Sequence, residues 1–265
     1  MKIVSVEFKE NGKNYYFKCD KKIELKPEDK VVVDTVRGIE FASVVEVDVN
    51  DASINIEKMM PVVRKATKED FKTYEKNIEL GKQGMEDFKK ILEEFPHLDM
   101  TLVSCEYNLD SSKILFMYIS EGRVDFRDLL KRLASHFKKR IELMQIGARD
   151  KAKLVGGLGP CGMEICCSRY LSEFDNISIN MAKNQMLSLN PSNISGLCGR
   201  LLCCLKYEND VYTKAKEAFP KIGSFVEYEK TRYKVTGLNL LSNQVKIENS
   251  GIIKLIDKDD AKCVK

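Results

Sequence analysis

Phe126-Arg127-Asp128-Leu129-Leu130-Lys131-Arg132-Leu133-Ala134-Ser135-His136-Phe137, followed almost at once by Arg140-Ile141-Glu142-Leu143-Met144-Gln145-Ile146, is the stretch on which the fold turns. In its first part Phe126, Leu129, Leu130, Leu133, Ala134 and Phe137 recur at helical spacing and share one apolar face, which predicts an amphipathic helix. The second part reads as a strand. Upstream, strand-like runs occupy about 98–107 and 113–120. Before them Phe71, Tyr74, Ile78, Met85, Phe88, Leu92 and Phe95 form the stripe of an earlier helix, with Gly81 and Gly84 placed to bend or break it. Helix, strand, strand, helix, strand predicts a ferredoxin-like α/β middle over 63–146, in which one of the usual four strands has to come from elsewhere.

The period changes on either side. From residue 1 to 62, short β-branched and aromatic runs (Ile3 to Phe8, Tyr15 to Phe17, Val31 to Val33, Ile39 to Val49) are broken at Asn11-Gly12, Lys26-Pro27 and Arg37-Gly38. They predict a small antiparallel β unit, with Pro61 and the charged stretch to Asp70 as the exit from it. From 147 to 210 periodicity weakens while Gly, Pro, Cys, Ser and Asn accumulate, the pattern of loops and short helices. From 211 to 265, runs at Ser224–Tyr228, Tyr233–Leu238, Gln244–Glu248 and Ile252–Ile256 predict a terminal β unit. The expected class is α+β.

Composition narrows the function. The 265 residues are 43% apolar and 32% charged, a soluble globular balance, and 44 Lys plus Arg against 40 Asp plus Glu leaves a net charge of +4, too small to announce a nucleic-acid or membrane partner. No apolar run is long enough for a membrane helix or a secretory signal, so a cytoplasmic protein is expected. A core of this size needs no disulfides, and an odd cysteine count in a reducing compartment favours free thiols or metal ligation.

Six of the nine cysteines, Cys161, Cys166, Cys167, Cys198, Cys203 and Cys204, fall within the 44 residues from 161 to 204. They form a repeat: Cys161-Gly162-Met163-Glu164-Ile165-Cys166-Cys167 and Cys198-Gly199-Arg200-Leu201-Leu202-Cys203-Cys204 are both Cys-Gly-x-x-x-Cys-Cys, 37 residues apart. Burial as small hydrophobes accounts for the isolated Cys19, Cys105 and Cys263, but it requires no repeated spacing. Residues five apart on a helix point away from each other, so the leading cysteine belongs on a loop turned by Gly162 or Gly199, with each Cys-Cys pair on a short helix that follows. A helix start also favours thiolate over thiol. With His97 and His136 both outside the segment, the set is all thiolate, which suits an iron–sulfur cluster first, then a zinc ion held by four cysteines, with reactive or structural thiols as the third reading. Six ligands exceed one four-ligand site, so either two are spare or a partner completes a second site.

Other motifs are weaker. Gly157-x-Gly159-x-x-Gly162 matches a dinucleotide fingerprint literally, but Pro160 interrupts it and no βαβ unit with a trailing acid follows. Lys131-Arg132 and Lys138-Lys139-Arg140 read as a solvated face before they read as a nucleic-acid contact. No nucleophile elbow, phosphate loop or His/Cys pair appears, and the chain is expected not to be an enzyme.

Several longer motifs carry a family resemblance over about residues 60 to 210. They are Arg123-Val124-Asp125-Phe126-Arg127, Arg140-Ile141-Glu142-Leu143, Gln145-Ile146-Gly147-Ala148-Arg149-Asp150, Gly156-Gly157-Leu158-Gly159-Pro160-Cys161-Gly162, Met181-Ala182-Lys183-Asn184-Gln185, Leu187-Ser188-Leu189-Asn190-Pro191 and Ile194-Ser195-Gly196-Leu197-Cys198-Gly199-Arg200. With them the chain resembles the YaaT (RicT) family of sporulation-initiation regulators, which contains the polymerase-suppressor-protein carboxy-terminal conserved region. The resemblance implies a non-enzymatic subunit of a cytoplasmic complex with two small helical proteins, YlbF and YmcA. It further implies 4Fe–4S clusters, messenger-RNA maturation by the membrane-bound ribonuclease Y, and phosphorelay-driven sporulation, competence and biofilm formation. Carried onto this sequence, the ligand role falls on Cys161, Cys166, Cys167, Cys198, Cys203 and Cys204. Met163 departs from the family, which usually has Arg there, as Arg200 still is in the second repeat.

Overall fold

A computed structural model describes residues 2–9, 12–49, 59–171 and 174–263, and it is an α+β structure as expected. Five strands, β1 (Lys2–Glu7), β2 (Tyr15–Cys19), β3 (Lys30–Thr35), β4 (Gly38–Val47) and β5 (Val62–Lys65), form an antiparallel sheet in the order β2-β1-β4-β3-β5. Alternation puts Val4, Val6, Phe17, Val31, Val33, Ala42, Val44 and Val62 on one face, where Cys19 is buried among them. The sheet runs past the expected exit at Pro61. β5 pairs with β3, Val33 opposite Val62, and its charged residues are tolerated because it is an edge strand with only Val62 buried.

A 25-residue helix, α1 (Lys68–Leu92), follows. Thr67 and Asp70 form a capping box, in which the Asp70 carboxylate accepts from the Thr67 N–H at 2.7 Å. Asp70 also accepts from both terminal guanidinium nitrogens of Arg64 on β5. Phe41 of β4 stacks on Tyr74 at 4.8 Å and meets Phe71 edge-on at 5.1 Å, so the first half of α1 seats on the outer face of the N-terminal sheet. The helix runs unbroken through Gly81 and Gly84. A Cβ at Gly81 would lie 2.6 Å from the Cys105 carbonyl oxygen, and one at Gly84 would lie 2.9 Å from the Cys105 sulfur, so these glycines let the helix approach a strand closely.

That strand is β6 (Thr101–Tyr107), antiparallel to β7 (Lys113–Ile119). A crossover through α2 (Arg127–Phe137) leads to β8 (Arg140–Gln145), parallel and adjacent to β7. The α-β-β-α-β order expected of a ferredoxin-like middle is present. Its sheet has three strands among the described residues, β6-β7-β8, because β8 takes the place beside β7 that an intervening strand would have occupied. Phe88 and Ile91 of α1, Phe116 and Ile114 of β7, and Leu129 and Leu133 of α2 fill the core, and Cys105 is buried there, as read.

Four short helices and one longer one come next: α3 (Ala148–Val155), α4 (Cys166–Arg169), α5 (Ile179–Asn184), α6 (Pro191–Ile194) and α7 (Cys203–Glu217). The chain then forms a meander of β9 (Phe225–Tyr228), β10 (Thr231–Asn239), β11 (Gln244–Asn249) and β12 (Ile252–Asp257). A single 3-10 turn leads to β13 (Lys262–Cys263), which returns to pair with β9. All four terminal runs are strands, and β13 adds a fifth; the side chain of Cys263 lies outside the described residues. By compactness the chain divides into two units, Met1–Gly157 with Cys167–Glu173, and Leu158–Cys166 with Phe174–Lys265. Among the described residues no helix is long and apolar enough to cross a membrane.

Candidate metal centre

The turns of the two cysteine repeats share one hydrogen-bond pattern. The Gly159 carbonyl accepts from the Gly162 N–H at 3.0 Å, and the Gly159 N–H donates to the Met163 carbonyl at 2.7 Å. In the second repeat Gly196 accepts from Gly199 at 2.9 Å and donates to Arg200 at 2.8 Å. Each turn is bracketed by an antiparallel bridge, Leu158 to Glu164 and Ser195 to Leu201. Gly162 and Gly199 have φ of +77° and +71°, the left-handed region that costs a residue with a side chain about 1–2 kcal/mol. A Cβ at either would meet nothing within 4 Å, so the backbone conformation, and not lack of space, calls for glycine. Cys161 and Cys198 ride on the turns, and helices begin at Cys166 and Cys203. This is the loop-then-helix arrangement that the spacing predicts. The structure also lengthens the repeat to Gly-x-Cys-Gly-x-x-x-Cys-Cys, since Gly159 and Gly196 close equivalent turns; the signal is visible in the sequence once the turn is known.

The six candidate ligands differ in environment. Cys161 is exposed, Cys166, Cys198, Cys203 and Cys204 are half-buried, and Cys167, which belongs to the first unit, is buried. Burial pushes the Cys204 thiol up to about 11, with the negative neighbourhood of Cys166, Glu208 and Cys161 adding to it. The helix start was expected to favour thiolate. At Cys204 desolvation and the Glu208 carboxylate, one turn on, outweigh it. Cys161 and Cys166 of the first repeat therefore lie within electrostatic reach of Cys204 in the second. Without a cation Cys204 keeps its proton at neutral pH, and a bound metal would displace that proton.

Among the described residues no group of three or more His, Cys, Asp or Glu is drawn close enough to hold a metal ion. The donor set still fits a soft metal chemically: thiols on two equivalent turns, with no imidazole in either repeat. His97 lies edge-on to Phe95, and His136 is 3.4 Å from Asp87.

The weaker motifs resolve into structure. The Gly157–Gly162 stretch is the turn that carries Cys161. Of the basic residues near α2, Lys131 pairs with Asp128, Arg132 pairs with Glu94 at 3.0 Å, and Lys139 donates to the Ser111 carbonyl and lies over the Tyr107 ring. Those cations are already engaged within the chain. Two residues not singled out as functional in the sequence, Asn184 and Gln185, turn out to contact the helix that carries Cys203 and Cys204. Their signal was only membership in the Met181–Gln185 motif.

Comparison with known proteins places this architecture. Residues 60–146 match the PSP1 C-terminal conserved region, and residues 176–219 match the third domain of PSP1-like proteins. Over 260 residues the chain is 45% identical to Stage 0 sporulation protein YaaT of Bacillus subtilis strain 168, spanning 96% of this chain and 92% of that protein. The chain belongs to the YaaT family. In this YaaT-family chain the PSP1 C-terminal region runs from just before β5 through β8, and the third domain holds α5, α6, α7 and the whole second cysteine repeat. A stretch of 51 residues is 41% identical to Protein PSP1 of Saccharomyces cerevisiae, covering 19% of this chain and 6% of that protein. No solved structure matches the YaaT-family chain.

Proposed function

We propose that the protein is a non-enzymatic, metal-bearing adaptor: an iron–sulfur subunit of a cytoplasmic regulatory complex. In this reading it assembles with YlbF-like and YmcA-like helical proteins and modulates ribonuclease Y-dependent messenger-RNA maturation and, through it, entry into sporulation, competence and biofilm formation. The observation that carries the reading is the pair of equivalent turns, each presenting a cysteine and each leading to a helix that starts with two more, with no imidazole in either repeat. Identity to a Stage 0 sporulation protein along almost the whole chain supports the sporulation role. When bound, a 4Fe–4S cluster would supply a rigid, charge-bearing crosslink between loops that have little apolar core of their own. The chain's own contribution is to carry Cys161 and Cys198 on turns completed by the left-handed Gly162 and Gly199 and to seat Cys203 and Cys204 on a helix anchored by Leu205, which is buried with Ala182 and Ile194.

The test is anaerobic purification with iron, sulfide and zinc analysis and absorbance at about 400 nm. Iron with inorganic sulfide supports the reading, and stoichiometric zinc without sulfide overturns it in favour of a zinc-stabilised adaptor. Cys198→Ser should lose metal and weaken assembly with the two helical partners on gel filtration, whereas Cys19→Ser, buried in the N-terminal core, should do neither. Cys198→Ser with full metal content and normal assembly would remove Cys198 from the ligand set.

A further inference from the structure

The helix that carries Cys203 and Cys204 begins without a side-chain cap. Leu202 at its head has no side-chain acceptor, so bonds from elsewhere in the chain help to hold a helix end that has to present two cysteines. One is a backbone bond, from the Leu202 N–H to the Ile194 carbonyl at 3.0 Å. Others come from two consecutive amide side chains at the end of α5. Gln185 Nε2 donates to the Leu205 carbonyl at 2.6 Å. Asn184 Nδ2 donates to Thr213 Oγ1 at 2.9 Å and to Asn209 Oδ1 at 3.3 Å, and Lys216 Nζ donates to Asn184 Oδ1 at 3.4 Å. Leu205, Asn209, Thr213 and Lys216 follow one another at intervals of three or four, so two side chains grip a single face of α7 along three turns. A carbonyl has two lone pairs, and Gln185 takes one at Leu205 without displacing a helical bond. The shortest of these bonds falls one residue beyond Cys204, in the first turn of the helix.

We propose that Asn184 and Gln185 are the positioning residues of the second cysteine pair, fixing the start of α7 so that Cys203 and Cys204 are presented to a metal without the helix end having to reorganise. The part of this inference that concerns metal affinity rests on the metal-bearing reading above; the part that concerns the helix end does not. The first repeat is built differently, since its Cys166 and Cys167 sit on a helix of 4 residues against 15 for α7.

The experiment uses the full chain, metal-free, and follows amide hydrogen exchange by mass spectrometry in wild type, Gln185→Ala, Gln185→Glu and Asn184→Ala. Loss of one hydrogen bond to a backbone carbonyl should speed exchange over residues 203–209 by about threefold to tenfold in Gln185→Ala, with β10 and β11 unchanged. Gln185→Glu keeps the side-chain length but has no N–H to donate, and it should behave like Gln185→Ala. Affinity for zinc ion, read by competition with a chromophoric chelator, should fall by a similar factor. Unchanged exchange over 203–209 in Gln185→Ala, wild-type protection in Gln185→Glu, or protection lost equally at β10 and β11 each overturns the proposal. A wild-type chain that binds neither zinc nor a reconstituted cluster refutes the metal-bearing reading instead, and the exchange pattern still decides the role of the two amides.

Discussion

Replacing Gly81 by alanine should destabilise the protein, although alanine is the better helix former. In an exposed helix interior the substitution would gain about 1 kcal/mol from backbone entropy. At this position the new Cβ would lie 2.6 Å from the Cys105 carbonyl oxygen, against about 3.3 Å for a close carbon–oxygen contact, so roughly 0.7 Å has to be found. Both sides are backbone, and neither can rotate away. The helix must lift from β6, disturbing a core in which Phe88 and Phe116 are fully buried with ring centroids 4.7 Å apart. Overpacking of this kind costs about 1–3 kcal/mol, and the displaced contacts add to it, so a net loss of about 1–2 kcal/mol remains after the helical gain. Equilibrium urea unfolding followed by circular dichroism measures it. Gly122→Ala is the control, because a Cβ there meets nothing within 4 Å, and it should stay within about 0.5 kcal/mol of wild type. If Gly81→Ala is as stable as wild type or more so, helix propensity has won, and α1 is not seated on the Cys105 backbone.

Three further outcomes are expected. The Arg64 guanidinium, with the capping bonds of Thr67, outweighs the opposing effect of burial and holds the Asp70 carboxyl well below the usual carboxylate range, so its contribution is complete above about pH 4 and fades as pH falls toward the lowered value. Asp70→Asn should therefore cost about 1–3 kcal/mol at pH 7 and progressively less below about pH 4 in urea titrations; a deficit that persists undiminished to about pH 2 would contradict this. Burial, helped by Glu106, pushes the Cys105 thiol up to about 12, and burial also raises Cys19, so in native metal-free protein near pH 8 iodoacetamide should modify exposed Cys161 and spare those two, as mass spectrometry of peptides would show. Gly199→Ala should weaken zinc binding by about fivefold to thirtyfold through the left-handed backbone alone, and Gly199→Asn by less, since asparagine tolerates that region; equal affinities in a chelator competition would show the turn to be dispensable.

Local order was legible in the residues themselves. The stripe from Phe126 to Phe137 is α2, the runs of valine are the N-terminal strands, and the repeated Cys-Gly spacing is a turn followed by a helix start, because periodicity and the left-handed freedom of glycine act within a few residues of chain. Decisions that depend on what comes to lie alongside were not. Gly81 and Gly84 have the same composition signal whether a helix breaks or a strand presses against it, and only the Cys105 backbone distinguishes the two. Val62–Lys65 looks like a charged exit until β3 is there to pair with it. β7 and β8 are adjacent because of sheet closure, a long-range choice that no window of sequence contains. In the same way the protonation of Cys204 is set by burial and by Cys166, Cys161 and Glu208, and the hold on its helix by Asn184 and Gln185, some 20 residues earlier. The turn-then-helix placement of the thiols was written in the cysteine spacing, but electrostatics and positioning depend on distance in space, which only the folded chain defines.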